Sequence, residues 1–200
     1  MSARRLLQSF YARDVRDVAR ELLGKQLQRG PVRLRITEVE AYCGPEDSAC
    51  HTSVGKTERN APMWGPPGRA YVYLCYGLHV MLNIVTGRRE GKAVLIRACE
   101  PQAGLELVRS RRGGKEGPVL LTGPGKVGAA LDLDTSFSHH PLYLPGGLQL
   151  FDGAPPAAVL AGPRVGIDYA RRADRVARLR YAVAGSPWVT HARALKPLRE

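Results

Sequence analysis

Apolar and polar residues change period several times along the chain, and each change marks an element. Asp14 reads as an N-cap with Asp17 three residues on. Val15, Val18, Ala19, Leu22 and Leu23 then recur at helical spacing up to Gly24, which predicts an amphipathic helix of about three turns. From Val32 the period drops to two: Val32, Leu34 and Ile36 alternate with Arg33, Arg35 and Thr37, the pattern of a half-buried strand. Carried on without a bulge, the inward face of that strand ends in Glu38, Glu40 and Tyr42. Carboxylates on a core face oppose stability, so Glu38 and Glu40 become candidate chemistry.

Residues 43–69 have little periodicity and form a loop longer than a compact domain normally carries without a function. Two strands joined tightly around Tyr76-Gly77 are predicted within 70–85, and a third at 93–98, all in one antiparallel sheet with 32–42. On the second of these strands Asn83 takes the phase of His79 and Met81, opposite Leu78, Val80, Leu82 and Ile84. A helix is expected to start at Glu100-Pro101 and run through Leu105, Leu107 and Val108. Thr122-Gly-Pro-Gly-Lys126 precedes another helix but fails the phosphate-loop pattern, because Val127 stands where a magnesium-binding Ser or Thr is needed. Short strands are expected at most around 148–151, and the arginine-rich run 164–180 reads as a solvated face. No repeat or linker interrupts the 200 residues, a length suited to one sizeable core.

Charge changes this picture. The chain carries 30 Lys and Arg against 18 Asp and Glu, a formal net charge of +12 shared about equally by its two halves. A compact body this basic favours a polyanion, with nucleic acid and an anionic membrane surface as the ordinary candidates. The opening residues reach Gln8 and Arg13 before any apolar run of signal-peptide length, and the longest apolar stretch, 74–85, is too short and too interrupted to span a bilayer. The expectation is a cytoplasmic protein with no membrane partner. The four cysteines show neither a C-x-x-C pair nor zinc-finger spacing, which points to reduced, mostly buried thiols and no metal.

Four segments carry a resemblance. Glu38-Val-Glu-Ala-Tyr-Cys-Gly-Pro-Glu-Asp-Ser-Ala-Cys-His51, Tyr71-Val-Tyr-Leu-Cys-Tyr-Gly77 with Asn83, Leu95-Ile-Arg-Ala-Cys-Glu-Pro101 and Gly185-Ser-Pro-Trp-Val189 occur in the order of the alkyladenine (3-methylpurine) DNA glycosylase family. The similarity spans nearly the whole chain. It implies a single α+β domain over residues 1–200 with a curved, mainly antiparallel sheet, surrounding helices and a protruding β-hairpin. It also implies an enzyme that flips damaged purines out of duplex DNA and hydrolyses their N-glycosidic bond as a monomer without a cofactor.

By the same resemblance Glu40 is the catalytic base, and Tyr42, His51, Tyr73, Asn83 and Leu95 belong to the base pocket. Tyr76 is the side chain that enters the duplex, and Arg97 contacts the DNA near the flipped nucleotide. Arg59, Arg69 and Lys126 are added as phosphate contacts on basic character alone, and Glu38 as a structural carboxylate paired with an arginine. Ser48, Cys50 and a shortened 113–125 region depart from the better-known members and bear on substrate range.

Two other readings fit parts of the pattern. A sugar hydrolase could use Glu38 with Glu40, or Glu46 with Asp47, but has no need of the positive charge. A non-catalytic nucleic-acid module could use Tyr71, Tyr73 and Tyr76 as a stacking platform, in which case Glu40→Gln changes little.

Overall fold

The computed structural model describes residues 4–198; the first three residues of the basic opening lie outside them. Among the described residues nine strands form one sheet, and every pairing in it is antiparallel. The strands are β1 (Gln26–Arg29), β2 (Val32–Tyr42), β3 (Ala70–Cys75), β4 (His79–Thr86), β5 (Lys92–Ala103), β6 (Leu148–Phe151), β7 (Val159–Gly162), β8 (Arg180–Val183) and β9 (Lys196–Pro197). The main path runs β3-β4-β5-β2-β8-β7-β9, while β1 pairs with the first part of β2 and with β6. β2 is therefore flanked by β5 along nearly its whole length and by β1 and β8 in turn on its other edge.

That central position explains the strand's burial, and its register corrects the expected faces. Ile36 pairs with Cys99, Glu38 with Ala98 and Val39 with Ile96, so Thr37 on β2 and Arg97 on β5 are each an extra residue in the ladder. The bulge at Thr37 flips the phase: Val32, Leu34 and Ile36 are followed in the main core by Val39 and Ala41. Glu38, Glu40 and Tyr42 consequently lie on the opposite face from the apolar series, where the unbroken alternation would not have put them. The Thr37 hydroxyl donates to the Trp188 carbonyl at 2.6 Å, which ties the bulge to the Ser-Pro-Trp segment.

Among the described residues five short helices accompany the sheet: α1 (Gln8–Tyr11), α2 (Val15–Leu22), α3 (Leu105–Arg111), α4 (Pro124–Ala130) and α5 (Arg172–Val176). The Asp14 side chain caps α2 by accepting from the Arg16 N–H at 2.8 Å, and Val15, Val18, Ala19 and Leu22 bury its inner face. The helix makes about two turns rather than three, because Leu23 is already extended and Gly24 leaves at φ +87°. The helix expected from Glu100 starts later. Residues 100–103 continue β5 opposite Arg33–Arg35, and α3 begins after Gly104. The local preference of Glu-Pro for a helix start yields here to cross-strand pairing with β2. The long loop 43–69 contains two short 3-10 turns, His51–Val54 and Ala61–Trp64. Cys50 and Cys99 are buried and Cys43 and Cys75 half-buried, all as free thiols. No helix among the described residues is long and apolar enough to cross a membrane.

α4 packs on β4 with almost no space between backbones. A Cβ at Gly128 would sit 2.2 Å from the Val80 carbonyl oxygen. Gly128→Ala should therefore destabilise by about 1–3 kcal/mol through overpacking, despite the ~1 kcal/mol that alanine gains in a helix interior. Urea unfolding should show a lower midpoint at unchanged slope; a higher midpoint would mean that α4 can move off the sheet.

Candidate active site

The face that β2 turns away from the core meets a cavity of about 510 Å³. Tyr42 and the strand partners Tyr71, Tyr73, Met81, Asn83, Leu95 and Arg97 contribute from the sheet, His51 and Arg59 from the long loop, and Tyr76 from the β3–β4 turn. On β3, β4 and β5 the pairs share faces, Tyr71 with Tyr73, Met81 with Asn83 and Leu95 with Arg97, while Tyr42 joins them through the bulge at Thr37. Segment 165–169 closes the remaining side through Val165, Gly166, Ile167 and Tyr169.

Glu40 is fully buried and lies directly behind this lining. One carboxylate oxygen, Oε1, accepts the Val165 N–H at 2.8 Å and lies 3.3 Å from the Arg97 guanidinium. The other, Oε2, accepts the Tyr42 hydroxyl at 3.0 Å. Burial raises the Glu40 pKa above the ordinary carboxylate value, with the Arg97 charge and the two hydrogen bonds pulling the other way. The result is a carboxylate held by three groups that themselves line the cavity.

Glu38, two residues earlier, is equally buried but saturated. Its Oε1 meets Arg97 Nε at 2.9 Å, Arg180 Nη1 at 3.2 Å and the Thr190 hydroxyl at 2.7 Å, while Oε2 accepts the Thr190 N–H at 2.6 Å. Arg97 thus bridges the two glutamates. Beneath Tyr42, Arg164 grips Asp47 through two hydrogen bonds of 2.5 and 2.8 Å, donates to the Ala41 carbonyl, and stands 4.8 Å from the Tyr42 ring centre. Asp47 in turn accepts the N–H groups of Cys43 and Ala49, which fixes the loop that carries His51.

The aromatic wall is equally ordered. Tyr71 and Tyr73 stack at 5.3 Å, and the His51 ring meets Tyr73 edge-on at 4.7 Å. His51 Nδ1 lies 2.9 Å from the Tyr71 hydroxyl. Burial and the Arg59 charge lower the His51 pKa, and burial pushes Tyr71 up to about 12, both favouring the neutral forms. The Asn83 amide donates to the Tyr71 carbonyl at 3.2 Å.

Outside the cavity proper, Tyr76 is 91% exposed and Leu78 79% exposed at the tip of the hairpin. Tyr76 and Gly77 both have positive φ, +52° and +68°, in the turn closed by the Leu78 N–H on the Cys75 carbonyl. A two-residue hairpin turn of this kind requires positive φ at both positions, and here it leaves a bulky aromatic projecting with nothing to pack against.

The sequence-derived residues therefore divide. Glu40, Tyr42, His51, Tyr73, Asn83, Leu95, Arg97, Arg59 and Tyr76 converge on one cavity and its rim. Arg59 is exposed there, 5.4 Å from the Tyr73 ring centre. Lys126 sits on a neighbouring shallow surface with His79 and Arg112. Arg69 does not line the cavity; its guanidinium donates to the His139 carbonyl at 3.0 Å. The run 164–180 is likewise no uniform solvated face, since Arg164 and Arg180 are buried counter-ions of Asp47 and Glu38. Neither they nor Val165, Tyr169 and Thr190 stood out from the sequence, because their partners lie far away in the chain. Only the Asp in Glu46-Asp47 and the nearness of Thr190 to Ser-Pro-Trp hinted at them.

Comparison with known proteins agrees with this geometry. A family model described as methylpurine-DNA glycosylase matches residues 9–187. A Nitrosococcus oceani protein classed with the 3-methyladenine DNA glycosylases is 60% identical over 192 residues, covering 96% of each chain. The DNA-3-methyladenine glycosylase of Arabidopsis thaliana is 57% identical over 193 residues, 94% of this chain and 76% of its own.

The two buried glutamates should respond in opposite ways to neutralisation. Glu38→Ala leaves the buried Arg180 guanidinium without its carboxylate and Arg97 with Glu40 alone, and should cost roughly 3–5 kcal/mol. Glu40 has a raised folded-state pKa, so the folded protein binds more protons than the unfolded chain above the ordinary carboxyl value of 4.5, and this group's contribution falls as pH rises through that window. Glu40→Gln should accordingly be at least as stable as the parent near neutrality, with the difference shrinking toward about pH 4. Urea midpoints across that range check both; a Glu40→Gln protein weaker than the parent at neutral pH would contradict the desolvation argument.

Proposed function

The chain belongs to the methylpurine-DNA glycosylase family and is a DNA glycosylase, and from that premise we propose that it flips alkylated or deaminated purines into the aromatic cavity and hydrolyses their N-glycosidic bond with water activated by Glu40. The observation that carries the reading is the carboxylate buried behind an aromatic-lined cavity roomy enough for a purine nucleotide, beside an exposed tyrosine on a hairpin tip. Tyr42 on one side and His51 with Tyr73 on another offer ring faces to an extruded base, and stacking of this kind contributes roughly 1–3 kcal/mol per base. Tyr76, already projecting, fills the space that the base leaves in the duplex.

In the chemical step the water oxygen bonds to C1′ of the sugar, the bond from C1′ to the purine nitrogen breaks, and its electron pair leaves with the purine. Glu40 takes the proton of the water. Its Oε2 has a single protein partner, the Tyr42 hydroxyl, and so retains acceptor capacity for that water, while the Val165 N–H and Arg97 hold Oε1. Burial that raises the Glu40 pKa makes it a stronger base than a solvated carboxylate. Arg97 adds positive charge near the nucleotide, Arg59 supplies a phosphate contact at the rim, and Lys126 supplies one from the neighbouring surface. Asn83 lines the cavity, and in this reading it crowds the exocyclic amino group of guanine and so disfavours the normal base. No lysine lines the cavity among the described residues, in keeping with hydrolysis that leaves an abasic site. Hypoxanthine, ethenoadenine, 3-methyladenine and 7-methylguanine are the substrate set, damaged double-stranded DNA is the partner, and the enzyme acts as a monomer.

Duplexes carrying one hypoxanthine, one ethenoadenine or no lesion, together with heavily methylated DNA, are incubated with the parent and with Glu40→Gln and then treated with alkali. The parent should give scission at the lesion only after alkali, and Glu40→Gln should lose base release by a factor on the order of 10²–10⁴ while still binding. No base release by the parent from any substrate, with salt-sensitive DNA binding intact, would replace this reading with a non-catalytic binding module. The rate of base release should also fall on acidification, with an inflection above the ordinary carboxyl value of 4.5 because Glu40 must be ionised to act. An inflection at or below 4.5 would remove Glu40 from the role of buried base.

A further inference from the structure

After β7 the chain crosses the open side of the cavity as a strap that is anchored at three points. Arg164 holds Asp47, the Val165 N–H holds Glu40, and the Tyr169 hydroxyl donates to the Ala49 carbonyl at 3.0 Å. Between the anchors Ile167 is buried against Ala49 and Tyr42. Tyr169 itself lines the cavity and yet is 70% exposed, in contrast to Tyr71, which is 2% exposed. Its tip is tethered and much of its ring is open to solvent at the cavity lip. An aromatic side chain fixed in this way has already lost the rotational freedom that binding would otherwise remove, and it presents uncovered apolar area to whatever enters.

We infer that Tyr169 is a further substrate-binding residue, a fourth aromatic surface that packs its open ring against the extruded purine nucleotide at the lip of the cavity. The inference rests on the glycosylase reading above, since only an everted nucleotide brings a planar, apolar group to that position. The ring supplies the contact and the hydroxyl holds the ring in place. A base with an added ring, such as ethenoadenine, offers more overlap than hypoxanthine and depends more on the residue. Because the side chain is mostly exposed and its removal opens no core cavity, its substitution leaves the fold intact.

The test measures affinity for duplexes with and without a single ethenoadenine, whose fluorescence changes with stacking, using the parent protein, Tyr169→Phe and Tyr169→Ala. Thermal melts of the three should coincide. Tyr169→Ala should lose about 5- to 100-fold in affinity for the lesion duplex with affinity for unmodified duplex unchanged, and its fluorescence change should shrink; Tyr169→Phe, which keeps the ring and loses only the tether to the Ala49 carbonyl, should fall between Ala and the parent. Equal lesion affinity for Tyr169→Ala and parent would overturn the inference, as would a Phe variant that fails as fully as Ala, because the ring would then not be the contact. A parent protein that neither prefers the lesion duplex nor releases its base would instead overturn the glycosylase reading, which separates the two failures.

Discussion

Two carboxylates in the central strand of the sheet are held away from bulk solvent, and much of the surrounding structure answers that burial. Glu38 is met by Arg97, Arg180 and both donors of Thr190, which makes it an anion fully compensated by its surroundings. Glu40 is held by fewer and weaker partners and is correspondingly driven toward protonation. The difference matters because a saturated carboxylate can take no further proton donor, whereas Glu40 keeps acceptor capacity on Oε2. Arg97 spans both, so the pair behaves as one electrostatic unit in which the structural glutamate fixes the guanidinium that the other one uses.

The arrangement depends on a β-bulge. Without the extra residue at Thr37, period-two alternation would aim Glu38 and Glu40 into the same core as Val32, Leu34 and Ile36, at a cost no domain of this size could carry. One inserted residue turns both carboxylates to the opposite face while Val39 and Ala41 continue the core. A second extra residue, at Arg97 on the paired strand, keeps the ladder in step and delivers the guanidinium beside them. The same device therefore protects the core and assembles the charged cluster.

Segments distant in the chain then close the site. Residues 164–170 and 185–190 contribute Arg164, Val165, Tyr169 and Thr190, each bonded to the β2 strand or to the loop that follows it. The basic character of the chain is consequently not all surface. Arg164 and Arg180 are internal counter-ions, whereas Arg59 is exposed.

Much of this was legible in the sequence. Alternation over 32–42 and 70–98 identified the four strands that carry the cavity, the Tyr76-Gly77 turn and the faces of Asn83 and Arg97, because the two-residue period of a strand is a local property. The order of the motifs around Glu40, Tyr42, His51 and Tyr73 identified the family and the candidate chemistry. What the chain could not declare locally was the bulge at Thr37, whose hydroxyl bonds a carbonyl 151 residues away, or the burial of Arg164 and Arg180, whose carboxylates lie 117 and 142 residues distant. An arginine looks the same in sequence whether it faces water or a buried anion. Only the long-range pairing of β2 with β5 and β8, and the strap laid across the cavity, decide which it is.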